Sequence, residues 1–102
     1  MSPGPFVIYK YRLDVGQIDP IMLPRDAAVL RVAQQSGEIT MWVKLSLYAE
    51  KVARNFRVLG TGMQFSVPDG QDARYCGTAF VGVYVWHVFE IVSEISGPAR
   101  PS

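Results

Sequence analysis

Apolar and polar residues alternate along much of this chain, and this alternation predicts β-strands. In Phe6 to Leu13, four apolar or aromatic residues share one side, and two cations lie on the other. The first set is Val7, Tyr9, Tyr11 and Leu13, and the second is Lys10 and Arg12. Such a pattern is typical of a strand with one buried face.

Two further alternating runs, Ala27 to Gln34 and Ile39 to Leu47, flank a short loop that contains Gly37. This arrangement predicts a β-hairpin. The second run places five apolar residues on one face: Ile39, Met41, Val43, Leu45 and Leu47. Before the hairpin, Ile18 to Pro24 predicts a short edge strand, because Pro20 has no N–H to donate to a neighbouring strand.

The pattern from Ser46 to Leu59 fits two structures. Tyr48, Val52, Phe56 and Leu59 follow helical spacing, and Gly60 could end a helix. With a period of two, Val52, Arg54, Phe56 and Val58 instead form one face of a strand. The residues alone leave both interpretations open.

The stretch from Tyr75 to Val92 is apolar on both alternating sets of positions, which is typical of a strand covered on both faces. We predict that it forms the centre of the fold, with Trp86 and Phe89 largely buried. Arg74 to Phe80 predicts one strand, Gly82 a bend or tight link, and Val83 to Val92 a strand that closes the core.

These elements predict an all-β fold, a small antiparallel β-sandwich or flattened barrel of about seven strands with little or no helix. Pro68-Asp69-Gly70 has the composition of a tight turn between two of them. We expect a flexible N-terminus over residues 1–5, a single β-domain over residues 6–95, and a flexible C-terminal tail over residues 96–102.

Composition limits the classes of partner. The formal net charge is +1, from 10 basic and 9 acidic residues without a block of like charge, so nucleic acid is not favoured. The longest apolar run, Ala79 to Trp86, is too short to span a bilayer, and the start MSPGPF lacks the pattern of a signal peptide. We therefore expect a protein located in the cytoplasm, without membrane association.

Three groups of residues resemble a family of small bacteriophage proteins that has no assigned activity. They are Ile8-Tyr9-Lys10-Tyr11, then Phe56-Arg57-Val58-Leu59-Gly60-Thr61-Gly62, and finally Tyr75-Cys76-Gly77-Thr78 followed by Val85-Trp86-His87-Val88-Phe89-Glu90. The resemblance covers about residues 6 to 91. It implies a phage origin, a compact β-rich domain and a strand over Arg54 to Leu59. It also implies the cytoplasm of the infected bacterium, or the virion, as the location.

Residues that carry chemistry are few. His87 is the only histidine and Cys76 the only cysteine, so neither a histidine-based metal cluster nor an intrachain disulfide is available. The two could form a nucleophile pair, or they could be a core histidine and a buried thiol. Gly60-Thr61-Gly62 lacks the Lys-Ser/Thr of a phosphate-binding loop.

The carboxylates suggest no catalytic pair. Asp69 with Asp72, and Glu90 with Glu94, are expected at a solvated surface. We predict that the protein is not an enzyme and holds neither a metal nor a cofactor.

The candidate binding residues are mainly basic. They are Lys51, Arg54, Arg57 and Arg74, which flank the turn-rich middle of the chain near Phe56 and Tyr75, and Trp42, which stands on an otherwise polar strand face. Arginine with aromatic residues is typical of a binding hot spot or an anion pocket, and the alternative is solubilising charge. On the strand interpretation, Arg54 and Arg57 point to opposite faces. One is then predicted to be held inside the fold and the other to be free for a partner.

The function that we expect is that of a non-enzymatic phage accessory protein, which binds and inhibits a host protein or a host-defence component. The alternatives are a minor virion or assembly component, and a protein that sequesters a small anionic ligand or nucleotide. Trp42 and the open sheet edges also predict a homodimer.

Overall fold

Seven β-strands make up the fold in the computed structural model, which describes residues 4–17 and 19–93. In chain order they are β1 (Phe6–Leu13), β2 (Ile21–Pro24), β3 (Ala28–Gln35), β4 (Glu38–Ser46), β5 (Lys51–Gly60), β6 (Gln71–Val81) and β7 (Tyr84–Ser93). The tails that we predict to be flexible fall outside the described residues, apart from Gly4 and Pro5. Within the described ranges, no helix is long and apolar enough to cross a membrane.

The strands form two antiparallel sheets. The first sheet has the order β1-β4-β3 and the second has the order β2-β5-β7-β6. The molecule measures 40 × 37 × 21 Å. Its shortest dimension suits two sheets about 10 Å apart with side chains on both outer faces. The prediction of a small all-β sandwich is confirmed.

The core lies between the inner faces of the sheets. From the first sheet, β4 contributes Met41 and Val43, which are fully buried. From the second, β5 contributes Phe56 and β7 contributes Val88, and both are 0% exposed. Burial of each large apolar side chain contributes about 1.5–3 kcal/mol relative to exposure.

The segment that fitted both helix and strand is strand β5 from Lys51 onward, and residues 47–50 form the link from β4. Phe56 and Val58 are buried on its inner face, two positions apart, and Arg54 also points inward. Burial of this alternating face outweighs the helix preference of residues such as Lys51 and Ala53, because propensity is a weak prior against tertiary packing.

Of the stretch from Tyr75 to Val92 that we predicted to be central, strand β7 is central to the second sheet, because it pairs with both β5 and β6. The prediction is wrong for β6, which is an edge strand on which Tyr75 and Phe80 are exposed. Val88 and Glu90 are buried on its inner face. On the outer face, Phe89 is covered by the segment after β5, with the Phe65 and Phe89 ring centroids 5.7 Å apart. Phe89 and Trp86 are only half-buried, less than we predicted. Phe89 lies on the outer face, and Trp86 lies near the turn that joins β6 to β7.

The first sheet departs from simple alternation at one position. Its register shifts between Val29 and Arg31, so Leu30 bulges out and is 52% exposed, while Val32 is buried. Tyr9 of the edge strand β1 is on the inward-facing set, opposite the buried Val43, but it is 44% exposed. Hydrophobic pattern alone does not reveal where a strand carries an extra residue.

Candidate functional site

Arg54 and Glu90 form a buried ion pair at one end of the sandwich. Nε of Arg54 donates to Oε2 of Glu90 at 2.7 Å, and Nη2 donates to Oε1 at 2.8 Å. The two side chains are only 11% and 6% exposed. The hydrogen bond with Glu90 raises the pKa of Arg54, so the guanidinium stays charged in spite of its burial.

Arg54 also binds the chain where it passes from one sheet to the other. Its Nη1 donates to the carbonyl oxygens of Pro24, at 3.0 Å, and Ala27, at 2.8 Å. These residues link β2 of the second sheet to β3 of the first. The prediction that Arg54 or Arg57 is held inside the fold is thereby confirmed for Arg54. The expectation of a solvated Glu90 is wrong, because its carboxylate is buried and paired with Arg54. Glu94 lies outside the described residues.

A cleft of about 500 Å³ includes this ion pair in its lining. Arg74 lies opposite Glu90 in the β6–β7 pairing, so its side chain leaves the sheet on the same side as that of Glu90. Arg25, from the link before β3, also lines the cleft. In the described part of the chain, neither Arg25 nor Arg74 forms an ion pair.

Cys76 lies at a bulge in β6 and lines the same cleft. Burial, followed by the charge of Glu90, raises the pKa of its thiol to about 11. The thiol is therefore protonated at neutral pH, and a protonated thiol is a poor nucleophile.

His87 lies on the outer face of the second sheet, among hydroxyl groups. Its Nε2 is 2.8 Å from Oγ1 of Thr61, and its Nδ1 is 3.1 Å from Oγ1 of Thr78. The hydroxyl of Tyr75 in turn lies 2.5 Å from Thr78 Oγ1. The imidazole thus connects the turn after β5 to the sheet through two hydroxyl groups, on the outer face rather than in the core.

The outer face of the first sheet carries a second group of cations, which we call the basic face: Lys10, Arg12, Arg31 and Lys44. The strand register places Lys10 and Arg31 on either side of Trp42. Lys44 Nζ lies 4.4 Å from the centre of the Phe6 ring, a cation–π contact. Arg12 pairs with Glu38 at 3.2 Å.

The residues predicted to bind a partner are divided among three surfaces. Trp42 is half-buried on the basic face. Lys51 and Arg57 belong to the outward-facing set of β5, whereas Arg54 and Arg74 line the cleft. Arg57 donates to the carbonyl oxygen of its neighbour Phe56 at 3.2 Å. The five residues do not form one patch.

Sequence reasoning missed most of the basic face. Its cations come from β1, β3 and β4, and only the order β1-β4-β3 brings them together. The sequence pattern that could have indicated this face is the set of cations on the polar sides of β1 and β4, the second of which also carries Trp42. Arg25 was missed as a cleft residue because the link that carries it gives no periodic pattern. Glu90 was missed because its partner, Arg54, is 36 residues away in the sequence.

Among the described residues, no group of three or more His, Cys, Asp or Glu side chains is placed to hold a metal ion.

Residues 6–97 match a family described as a domain of unknown function, DUF7352. The chain belongs to this family. The DUF7352 match spans all seven strands, so the cleft and the basic face both lie within it. Neither the curated proteins nor the solved structures gave a match to the chain.

Proposed function

We propose that this protein acts by binding an acidic surface of another protein through the basic face. The charge of the first sheet carries the proposal. Its three strands hold four cations and one carboxylate, Glu38, a formal charge of +3, against +1 for the whole chain. A patch of one sign steers an oppositely charged partner and sets the orientation of binding.

The apolar residues of the same sheet support a protein partner. Phe6, Ile8 and Leu30 are 51%, 57% and 52% exposed, and Trp42 lies among the cations. Aromatic residues with arginine are enriched in protein interfaces, where a few of them contribute most of the binding free energy. Trp42 between Lys10 and Arg31 is the candidate centre of such an interface.

The same charge disfavours contact between two copies of this face. Face-to-face pairing would bring two surfaces of formal charge +3 together, and like charges at an interface cost binding free energy. A partner with carboxylates opposite Arg31 and Lys44 meets no such repulsion. The basic face therefore suits a different protein better than a second copy of this chain.

The biological setting that we propose is phage infection, with a host protein as the partner that is inhibited. The resemblance of the three groups of residues to phage proteins supports this setting. The role that we propose is binding rather than catalysis: Cys76 lines the cleft with a protonated thiol, and His87 lies on the outer face of the sheet, so the two do not form a nucleophile pair. A minor virion component would use the same face on a phage protein, and proteomics of purified particles separates the two roles.

The experiment compares the wild type with Arg31→Glu, Lys44→Glu and Trp42→Ala in capture from infected-cell lysate. Lys51→Glu, on the other sheet, is the matched control. We expect each basic-face change to weaken capture of one acidic protein, while the control retains it. Equal capture by all four variants would contradict the proposal. Loss of binding to single-stranded DNA, with protein capture unchanged, would instead assign the face to nucleic acid.

A further inference from the structure

The geometry points to a second binding site, separate from the basic face: the cleft beside the Arg54–Glu90 pair, which would take a small phosphate ester with an apolar body. The cleft measures about 500 Å³. That volume lies within the range of small-molecule sites, about 300–1,000 Å³, and exceeds what a bare phosphate ion needs.

Two guanidinium groups make the cleft suitable for a phosphate group. Arg25 and Arg74 line it from different elements, the link before β3 and the strand β6. Neither takes part in an ion pair with the described residues. A guanidinium presents a planar set of donors that matches phosphate oxygens in a two-point contact.

The two carboxylates that line the cleft do not neutralise all of its positive charge. Glu90 uses both carboxylate oxygens on Arg54 and is buried, so its charge is matched within the fold. Asp26 also lines the cleft, and its negative charge interacts with the guanidinium of Arg54. The described lining therefore holds three guanidinium groups against two carboxylates.

Part of the remaining wall is apolar, which indicates the organic part of the ligand. Val29 contributes from β3, Val52 from β5 and Val92 from β7, each on the inward-facing set of its strand. An inorganic anion gains nothing from these side chains, whereas an aromatic or aliphatic ester buries apolar surface against them. The cleft thus combines a charged part, from Arg25 and Arg74, with an apolar part.

Titration with three probes, followed by backbone amide NMR shifts, tests the proposal. The probes are phenyl phosphate, inorganic phosphate and phenol. We expect phenyl phosphate to bind most tightly, inorganic phosphate more weakly and phenol weakest, with shifts centred on Ala28, Val29 and Arg74. If inorganic phosphate binds as tightly as phenyl phosphate, the apolar part of the proposal is wrong.

Two variants with a matched control assign the binding to the cleft. Arg25→Gln and Arg74→Gln should each weaken phenyl phosphate binding about tenfold or more, because each removes a charged hydrogen-bond donor. Arg31→Gln, on the basic face, should leave it unchanged, and melting curves should show that all three variants are folded. Absence of binding at millimolar phenyl phosphate would overturn the proposal, as would an equal loss in Arg31→Gln. Either result leaves the basic face untouched, because that site is tested by protein capture.

Discussion

At the scale of single residues, Arg54 makes buried contacts with Glu90 and with the link between the two sheets, and we expect their loss to destabilise the fold. Removing one partner of a buried ion pair leaves an uncompensated charge and costs about 3–5 kcal/mol. Arg54→Gln should therefore lower the free energy of unfolding by about that amount. Arg57→Gln, on the opposite face of the same strand, should change it by less than about 0.5 kcal/mol. Urea denaturation of both variants measures the difference, and equal stabilities would show that the pair does not hold the fold together.

Cys76 gives the residue-scale prediction for pH. The thiol has a pKa of about 11 in the folded state, raised from 9.0. Since the folded state retains this proton more tightly than the unfolded state, the contribution to stability is complete below pH 9 and is lost as the pH rises towards 11. Tyr11, whose pKa is raised from 10.0 by burial, acts in the same direction at higher pH.

Thermal melts between pH 8 and pH 11 measure this effect. We expect stability to fall over that range in the wild type, and to fall less in Cys76→Ala, which retains the contribution of Tyr11. An identical pH profile for the two proteins would contradict the assignment to the thiol. With its single cysteine, the chain should also melt at the same temperature with and without a reducing agent.

At the scale of elements, the second sheet depends on a glycine where β6 comes close to β3. A Cβ added at Gly77 would lie 2.7 Å from Cβ and 2.9 Å from Cγ2 of Val32. Overpacking of this kind costs about 1–3 kcal/mol, so Gly77→Ala should lower stability by that amount.

The clash also predicts a rescue. Val32→Gly removes both Cβ and the Cγ atoms on the β3 side, so the double variant should be more stable than the sum of the two single changes predicts. Coupling between residues in contact is about 0.5–3 kcal/mol. A double-mutant cycle in urea measures it; strictly additive changes would mean that Gly77 is required for another reason.

Strands were predictable from the sequence where one face is buried and the alternation is unbroken. The inward set of β4, from Ile39 to Leu45, is of this kind, and so is the turn at Pro68-Asp69-Gly70, where Gly70 has a φ of +80°. The bulges at Leu30 and Cys76 were not predictable, because an extra residue changes the face of a side chain without changing composition. The partner of Arg54 was not predictable either, since Glu90 is 36 residues away.

At the scale of the whole molecule, the two outer faces differ in character. The first sheet presents the basic face, and the second is partly covered by the segment that contains Thr61 and Phe65. This difference restricts how a homodimer, which remains a prediction, could form. Repulsion disfavours the basic face, so the edge strand β1, which among the seven described strands pairs with β4 alone, is the better candidate.

Sedimentation at micromolar concentration tests the dimer. We expect a dimer in the wild type. Replacing Tyr9, which is exposed on β1, with proline removes one backbone N–H donor from this strand, so we expect Tyr9→Pro to be a monomer. Lys51→Glu, on the second sheet, should remain dimeric. A monomeric wild type would refute the prediction, and a circular dichroism spectrum of Tyr9→Pro would show whether its sheet is retained.

The contacts of Arg54 also bear on the order of events during folding. They join residues 27, 30 and 36 positions apart, and they span the passage of the chain between the sheets. Contacts between distant parts of a chain carry a large loop-closure cost, so they are expected to form late, after the local β3–β4 and β6–β7 hairpins.

An interaction that forms after the transition state affects the unfolding rate rather than the folding rate. Arg54→Gln should therefore speed unfolding about a hundredfold or more, with little change in the rate of folding. Stopped-flow kinetics across a range of urea concentrations resolves the two rates, with Arg57→Gln as the reference. Slower folding with unchanged unfolding would place the Arg54 contacts in the folding nucleus. On the late-forming view, Arg54 sets how long the native sandwich persists rather than how fast it assembles.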